Sequence, residues 1–284
     1  MLLVNTREQL TPLREQWRNE RLTTALVPTM GNLHAGHLSL CEQARLHADR
    51  VIVSIFVNPT QFGPSEDFAS YPRTLNADLD ALREAGAADV VFAPAVGEIY
   101  PHGSEQALRV SLPELSRQLC GASRPGHFDG VAGVVLRLLN ITDPELMLLG
   151  EKDFQQLVLM RWLIADLCLR HHVRGLPIHR ADDGLALSSR NRYLTTDERE
   201  RAPALFRELS ALALHLADGK RDYSALQERA ARALSAHGFD VDYVAVRDAT
   251  DLSSPDADSS AGDLIVLGAA KLGRARLIDN VRVA

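Results

Sequence analysis

Strand-like and helix-like patterns alternate through the first 176 residues, and this alternation constrains the fold more than any other feature of the chain. Thr23–Val27, Val51–Val57, Asp89–Phe92 and Glu145–Leu149 are short apolar runs, the second rich in β-branched side chains, and each reads as a strand. Leu38–Ala48, Leu75–Ala85 and Asp153–Leu169 carry helical patterns, the last closed by basic Arg170. Thr6-x-x-Gln9 is a capping-box pattern and predicts a helix through Trp17. Strands interleaved with helices fold as a mostly parallel sheet with right-handed crossovers, which binds ligands at the carboxyl ends of its strands.

The texture changes after about residue 176. Thr195-x-x-Glu198 predicts a capped helix running toward Ala217, and a second helix covers Tyr223–His237 and stops at Gly238. Strand-like Val241–Val246, Leu264–Leu267 and Arg276–Ile278 read as antiparallel, with a polar loop at Ser253–Ala261. The expected organisation is an α/β domain with a parallel sheet over 1–176, followed by a smaller α+β domain over 177–284.

A length of 284 residues is enough for one large domain or two of ordinary size. The longest apolar runs, Val51–Val57 and Val131–Leu139, fall short of the ~20 residues that span a bilayer. Met1–Glu8 lacks the basic start and apolar core of a signal peptide. Cys41, Cys120 and Cys168 are odd in number and widely spaced, which fits reduced thiols and a cytoplasmic location rather than disulfides or a zinc site. A net charge of −6 and the lack of a basic tail argue against nucleic acid as a partner. The basic residues are almost all arginine, so the lysines Lys152, Lys220 and Lys271 stand out. Lysine is a compact point charge that arginine does not replace.

Three segments have the chemistry of a phosphate site. In Met30-Gly31-Asn32-Leu33-His34-Ala35-Gly36-His37, two histidines and a glycine stand where a strand hands over to a helix. Helix-start N–H groups and the helix dipole favour an anion there, glycine permits close approach, and two imidazoles add donors. The glycine-rich dinucleotide fingerprint and the P-loop are both missing, and no further metal-type ligands stand near the histidines. In Gly150-Glu151-Lys152-Asp153-Phe154-Gln155-Gln156-Leu157, Lys152 sits at the positive end of a helix, an uncomfortable place without an anion. Phe154, Leu157, Ile164 and Leu167 can face the core of that helix. In Asp183–Asn191, Ser188, Ser189 and Arg190 suit the charge of a transferring phosphate. Two further segments, Val57–Phe62 and Arg124–Val131, offer the amides of Asn58 and Gln61 to a small polar substrate, while His127 reads as structural. Each segment alone also fits ordinary turn or capping chemistry.

Together with Tyr71-Pro72-Arg73-Thr74, these ordered segments closely resemble the pantothenate synthetase (pantoate–β-alanine ligase) family of the nucleotidyltransferase-like HIGH superfamily. The resemblance implies a Rossmann-like nucleotidyltransferase domain followed by the smaller α+β domain. It implies ATP-dependent condensation of (R)-pantoate with β-alanine to give pantothenate, AMP and pyrophosphate through pantoyl adenylate, with Mg²⁺ on the phosphates and a homodimeric assembly. His34, His37, Lys152, Ser188, Ser189 and Arg190 would then be catalytic. ATP would be held by Met30–His37 (Met30 on its adenosine side), by Gly150–Asp153 (Asp153 on its ribose), and by His179 and Leu187–Arg190. Gln61 and Gln156 would bind pantoate, with Asn58 and Arg124 in the substrate or pyrophosphate region; the metal ligands stay unknown. Ala35, Gly133 and His179 depart from the family pattern, and the reduced acidic stretch Asn76-Ala77-Asp78 argues against a metal-facing role for Asp78. A nucleotidyltransferase acting on another small substrate, or a nucleotide sensor on the same fold, remains the alternative.

Overall fold

The computed structural model of the chain describes every residue but Ser65, Pro113 and Ala257, so part of the expected loop Ser253–Ala261 lies outside the described residues. The elements in chain order are β1 (Leu2–Val4), α1 (Arg7–Asn19), β2 (Thr24–Thr29), α2 (Ala35–His47), β3 (Arg50–Ile55), α3 (Leu75–Glu84), β4 (Val90–Phe92), α4 (Val96–Ile99), α5 (Cys120–Ser123), α6 (His127–Thr142), β5 (Leu146–Gly150), α7 (Phe154–Asp166) and β6 (His172–Leu176). There follow α8 (Thr196–Arg201), α9 (Ala204–Ala217), α10 (Tyr223–Ala236), β7 (Asp240–Asp248), β8 (Leu264–Leu272) and β9 (Ala275–Arg282). Short 3₁₀ turns at Pro59–Gln61, Glu151–Asp153 and Ser189–Tyr193 carry three of the segments singled out above.

The chain divides into two compact units: Met1–Glu151 with Leu159–Pro177, and Lys152–Val158 with Ile178–Ala284. The segment 152–158, expected in the first domain, therefore groups with the second. In the first unit six strands form one all-parallel sheet in the order β1-β4-β3-β2-β5-β6. The chain moves outward from β2 through β3 to β4, then returns to place β5 on the other side of β2. The gap between β2 and β5 is thus the switch point, where an open parallel sheet leaves a crevice at its carboxyl edge. Its strands are buried on both faces: Ala25, Leu26 and Val27, then Val51, Ile52 and Val53, are fully buried, as the near-continuous apolar runs require. α1 begins at the expected Thr6–Gln9 capping box.

The second unit carries the antiparallel meander β7-β8-β9, with α9 and α10 packed on it. Leu205, Leu209, Leu212 and Leu216 of α9 bury against Val266 and Ala270 of β8. The single helix expected from Thr195 to Ala217 is two, because Pro203 cannot donate the hydrogen bond a continuous helix needs. α7 likewise starts at Phe154 after a 3₁₀ turn and ends at Asp166; Phe154 and Leu157 are buried as expected, but Leu167 lies beyond it and is 43% exposed. Among the described residues no helix is long and apolar enough to cross a membrane.

All three cysteines are free. Burial pushes the Cys41 thiol up to about 12, whereas Cys168 is exposed. Alkylation proceeds through the thiolate. Iodoacetamide at pH 8 is therefore expected to modify the folded chain at Cys168 and to reach Cys41 and Cys120 only after denaturation, as peptide mass mapping will show.

Candidate active site

β2 ends at Thr29, whose hydroxyl donates to the carbonyl of Ser54 on β3 at 2.8 Å, so the loop to α2 starts at Met30, on a strand that flanks the switch point. Gly31 (φ +79°) and Asn32 (φ +53°) turn the chain through the left-handed region. A Cβ at Gly31 would meet Asp78 Oδ2 at 3.0 Å and Ile55 Cγ2 at 3.1 Å, so only glycine relieves both conformation and space. Asp78, 3% exposed, accepts from the backbone N–H of Asn32 (3.0 Å) and Leu33 (2.8 Å) and from the Thr74 hydroxyl (3.1 Å). Sequence reasoning missed this brace by weighing Asp78 only as a metal ligand. A signal was available, for Asp78 interrupts the apolar stripe Leu75–Leu79–Leu82 of α3, and a buried acid needs dedicated donors.

His34 is the N-cap residue of α2 and His37 lies in its first turn. The two rings are 4.0 Å apart between centroids, and His37 Nδ1 accepts from the His34 backbone N–H at 3.4 Å. With Nδ1 an acceptor, neutral His37 carries its proton on Nε2 and donates from there. No acidic residue stands in the first turn of α2, so the positive end of the helix dipole is not offset within its own helix. Ala35, one of the departures from the family pattern noted above, is exposed.

The Gln61 Nε2 lies 3.2 Å from Met30 Sδ, which brings these two predicted residues together. Asn58 takes a different place from the one expected. It is 1% exposed, donates to Gln61 Oε1 (3.0 Å) and the Gly130 carbonyl (3.2 Å), and accepts from the Tyr100 hydroxyl (2.7 Å). Its amide thus supports Gln61. Arg124 is drawn into a bidentate pair with Glu66 (2.6 and 2.7 Å) and contacts His127 (2.8 Å), whose other ring nitrogen bonds the Gln61 carbonyl (2.8 Å). Burial pushes the Glu66 carboxyl up, but the hydrogen bonds and charge of Arg124 outweigh it and hold the group below its ordinary range. The stabilisation from this pair is present above the unfolded carboxylate's pKa and is lost as pH falls through the lowered folded one.

Gly130, unremarked in the sequence, packs α6 against the turn that carries Gln61. A Cβ there would stand 2.2 Å from the Thr60 carbonyl oxygen and 2.7 Å from the Gln61 nitrogen. Gly130→Ala must displace that backbone, and, if Gln61 binds pantoate as the resemblance implies, it is expected to raise the KM for pantoate about tenfold or more while costing about 1–3 kcal/mol of stability. Steady-state kinetics with a urea titration check both.

In the second unit Lys152 Nζ pairs with Asp153 Oδ2 at 2.9 Å, and the Lys152 carbonyl accepts from Asn280 Nδ2 at 3.1 Å. Gln156 is half-buried and its neighbour Gln155 fully so. Ser188 opens the 3₁₀ turn Ser189–Tyr193 by accepting from the Arg190 N–H at 3.3 Å, so three predicted residues share one turn. Leu187 donates its N–H to the carbonyl of His179 at 2.9 Å, which leaves the side chain of the exposed His179 outside that bond.

A family model described as pantoate-beta-alanine ligase matches residues 2–282. The chain belongs to that family. The pantothenate synthetase of Methylococcus capsulatus is 50% identical over 284 residues, covering 100% of this chain and 98% of the relative. That of Halorhodospira halophila is 51% identical over 282 residues, covering 99% and 98%. Among solved structures, pantothenate synthetase from Thermus thermophilus superposes with a TM-score of 0.91 at 42% identity, covering 100% and 99%. Pantoate-beta-alanine ligase from Francisella tularensis, complexed with beta-gamma ATP and beta-alanine, gives 0.83 at 34% identity, covering 99% and 97%. A pantoate–β-alanine ligase joins an acid to an amine through a carbon–nitrogen bond, and this chain is a ligase of that kind. The two-unit α/β architecture expected from the sequence is the family's own.

Proposed function

We propose that the chain condenses (R)-pantoate with β-alanine in two steps driven by ATP. A carboxylate oxygen of pantoate attacks the α-phosphorus, the bond to the β-phosphate oxygen breaks, and pyrophosphate leaves. The β-alanine amine then attacks the acyl carbon of pantoyl adenylate, AMP departs with the bridging oxygen, and the amine loses a proton to give the amide of pantothenate. Two anions must first be held together against their repulsion, and the residues divide that task. Gln61 and Gln156 bind pantoate through uncharged amides. His34 and His37 donate to phosphate oxygens, while Lys152, Ser188, Ser189 and Arg190 offset charge on the pentacovalent phosphorus and the departing pyrophosphate. Asp153 serves the ribose and Met30 the adenosine side; the backbone from Gly31 to Gly36, with Gly150, Glu151, His179 and Leu187, completes ATP binding. Arg124 acts through Glu66 and His127 on Gln61. Residues 1–176 thus carry most of the proposed ATP and pantoate contacts, and 177–284 carry His179, Leu187 and the Ser188–Arg190 loop.

Mg²⁺ belongs to this reading as part of the ATP substrate, where it would offset phosphate charge. Among the described residues no group of three His, Cys, Asp or Glu side chains fits an ion, and Asp78 is already committed to backbone donors, so no protein ligand is assigned to it. A cytoplasmic location fits the free cysteines, and a homodimer is what the family resemblance implies.

The observation that carries the reading is the histidine-capped Met30–His37 loop on a switch-point strand, in a chain of this family. Mass spectrometry of products from purified protein with MgATP, pantoate and β-alanine tests it by omission. Pantothenate and AMP should form only when all are present, and pyrophosphate should still form in the absence of β-alanine. Nucleotide transfer that yields a stable adenylylated product with no amine requirement would overturn it in favour of a simple nucleotidyltransferase.

A further inference from the structure

Strand β9 holds a second polar constellation. Asp279 is 3% exposed, yet it receives a bidentate pair from Arg180, with Nη1 at 2.6 Å from Oδ2 and Nη2 at 2.8 Å from Oδ1. The same guanidinium donates to the carbonyls of Gly184 (3.0 Å) and Asn280 (3.3 Å) and lies 3.7 Å over the Phe206 ring. A fork with this many partners in a buried setting has one available geometry. Arg180 and Ala186 also form an isolated bridge, and Leu187 is tied to His179, so the pair fixes the turn that feeds directly into Ser188. The next residue on β9, Asn280, turns its Nδ2 to the carbonyl of Lys152. One dipeptide of β9 is therefore bonded to the Lys152 backbone and to Arg180, which precedes Ser188 on the same stretch of chain.

We propose that Asn280 is a positioning residue that sets Lys152 for adenylation, on a strand whose register is locked by the Asp279–Arg180 pair. The assignment rests on the ligase reading above. Asn280 has no part in the chemistry itself; it fixes the backbone from which the Lys152 ammonium reaches, and misplacement on the scale of an ångström is enough to cost about a hundredfold in rate. The Lys152 side chain is long and has rotamer freedom to lose, so an anchored backbone shortens the set of positions its charge visits.

A double-mutant cycle on the first half-reaction tests this, with rapid-quench measurement of pyrophosphate from MgATP and pantoate in the absence of amine. Asn280→Ala is expected to slow the step about tenfold to a hundredfold, with little change in the KM for pantoate. In a Lys152→Ala background the same substitution should change the rate less than about twofold, because what Asn280 positions is gone. Asn280→Leu, which keeps volume but cannot donate, serves as the second variant should alanine unfold the strand, and should behave alike. Additive losses in the two backgrounds overturn the proposal and leave the ligase reading standing, since a merely structural role would add to the lysine effect. A wild-type protein that releases no pantoate-dependent pyrophosphate overturns the ligase reading, and this proposal with it.

Discussion

Lys152→Ala is expected to lower pantoate-dependent pyrophosphate release about 10²–10³-fold, the scale on which one preorganised donor to a developing charge acts. The same change should leave the melting temperature within about 2–4 °C of wild type. The structure says why the two effects part. The Lys152 ammonium pairs with Asp153, whose side chain is 49% exposed, and a pair this close to water contributes about 0–1 kcal/mol. The Lys152 carbonyl, which Asn280 holds, survives the substitution. A lysine at the start of a helix gains nothing from the dipole, and the proposed reading gives it a phosphate to meet. Matching melting curves with undiminished pyrophosphate release would remove Lys152 from the reaction.

Asp78→Ala should act in the opposite proportion, on stability first and on the reaction through it. The substitution takes the acceptor from the Leu33 N–H, leaves the Asn32 N–H to the Thr74 hydroxyl at 3.1 Å, and removes the Asp78 acceptor from that hydroxyl. Buried donors left unmatched cost about 1–3 kcal/mol each, so a total loss of about 3–5 kcal/mol is expected in a urea titration. Asp78→Asn keeps one oxygen acceptor and should lose roughly half as much. Because His34 follows Leu33 directly, adenylation should fall in both variants even at temperatures where they stay folded. A loss below about 1 kcal/mol in Asp78→Ala would show that the turn at Gly31 and Asn32 does not depend on this carboxylate.

These two residues mark how far the sequence could be read. Lys152 drew notice because its type clashes with its position at a helix start, and its part in the reaction is a proposal. Asp78 was obscured because its partners are backbone amides 46 and 45 residues away, and sequence carries no mark of which amide a carboxylate meets. The strands β2, β3, β4 and β5 announced themselves through β-branched and apolar runs. Strands β1 and β6 form the two edges of the sheet, where β1 leaves two of its three residues exposed and β6 alternates exposed and partly buried residues, and neither was read. α6 escaped for another reason: ten of its sixteen residues are buried, so it shows as the apolar run Val131–Leu139 without a clear polar face. Its early glycine, Gly130, then supplies the close approach that holds the Gln61 turn, a contact defined by the fold and not by spacing. Asn58 was read as a ligand because amides after a strand often face the crevice; its burial beneath Gln61 follows from the Tyr100 and Gly130 partners that only the tertiary fold brings near.

The account stands on attack by a carboxylate oxygen at the α-phosphorus, and an isotope can follow that oxygen. With pantoate carrying heavy oxygen at both carboxylate positions, MgATP and β-alanine, each AMP should leave with one heavy oxygen and each pantothenate should retain one in its amide carbonyl. AMP without label, alongside pantothenate formation, would contradict the adenylate route and the roles given to His34, His37, Lys152 and Arg190.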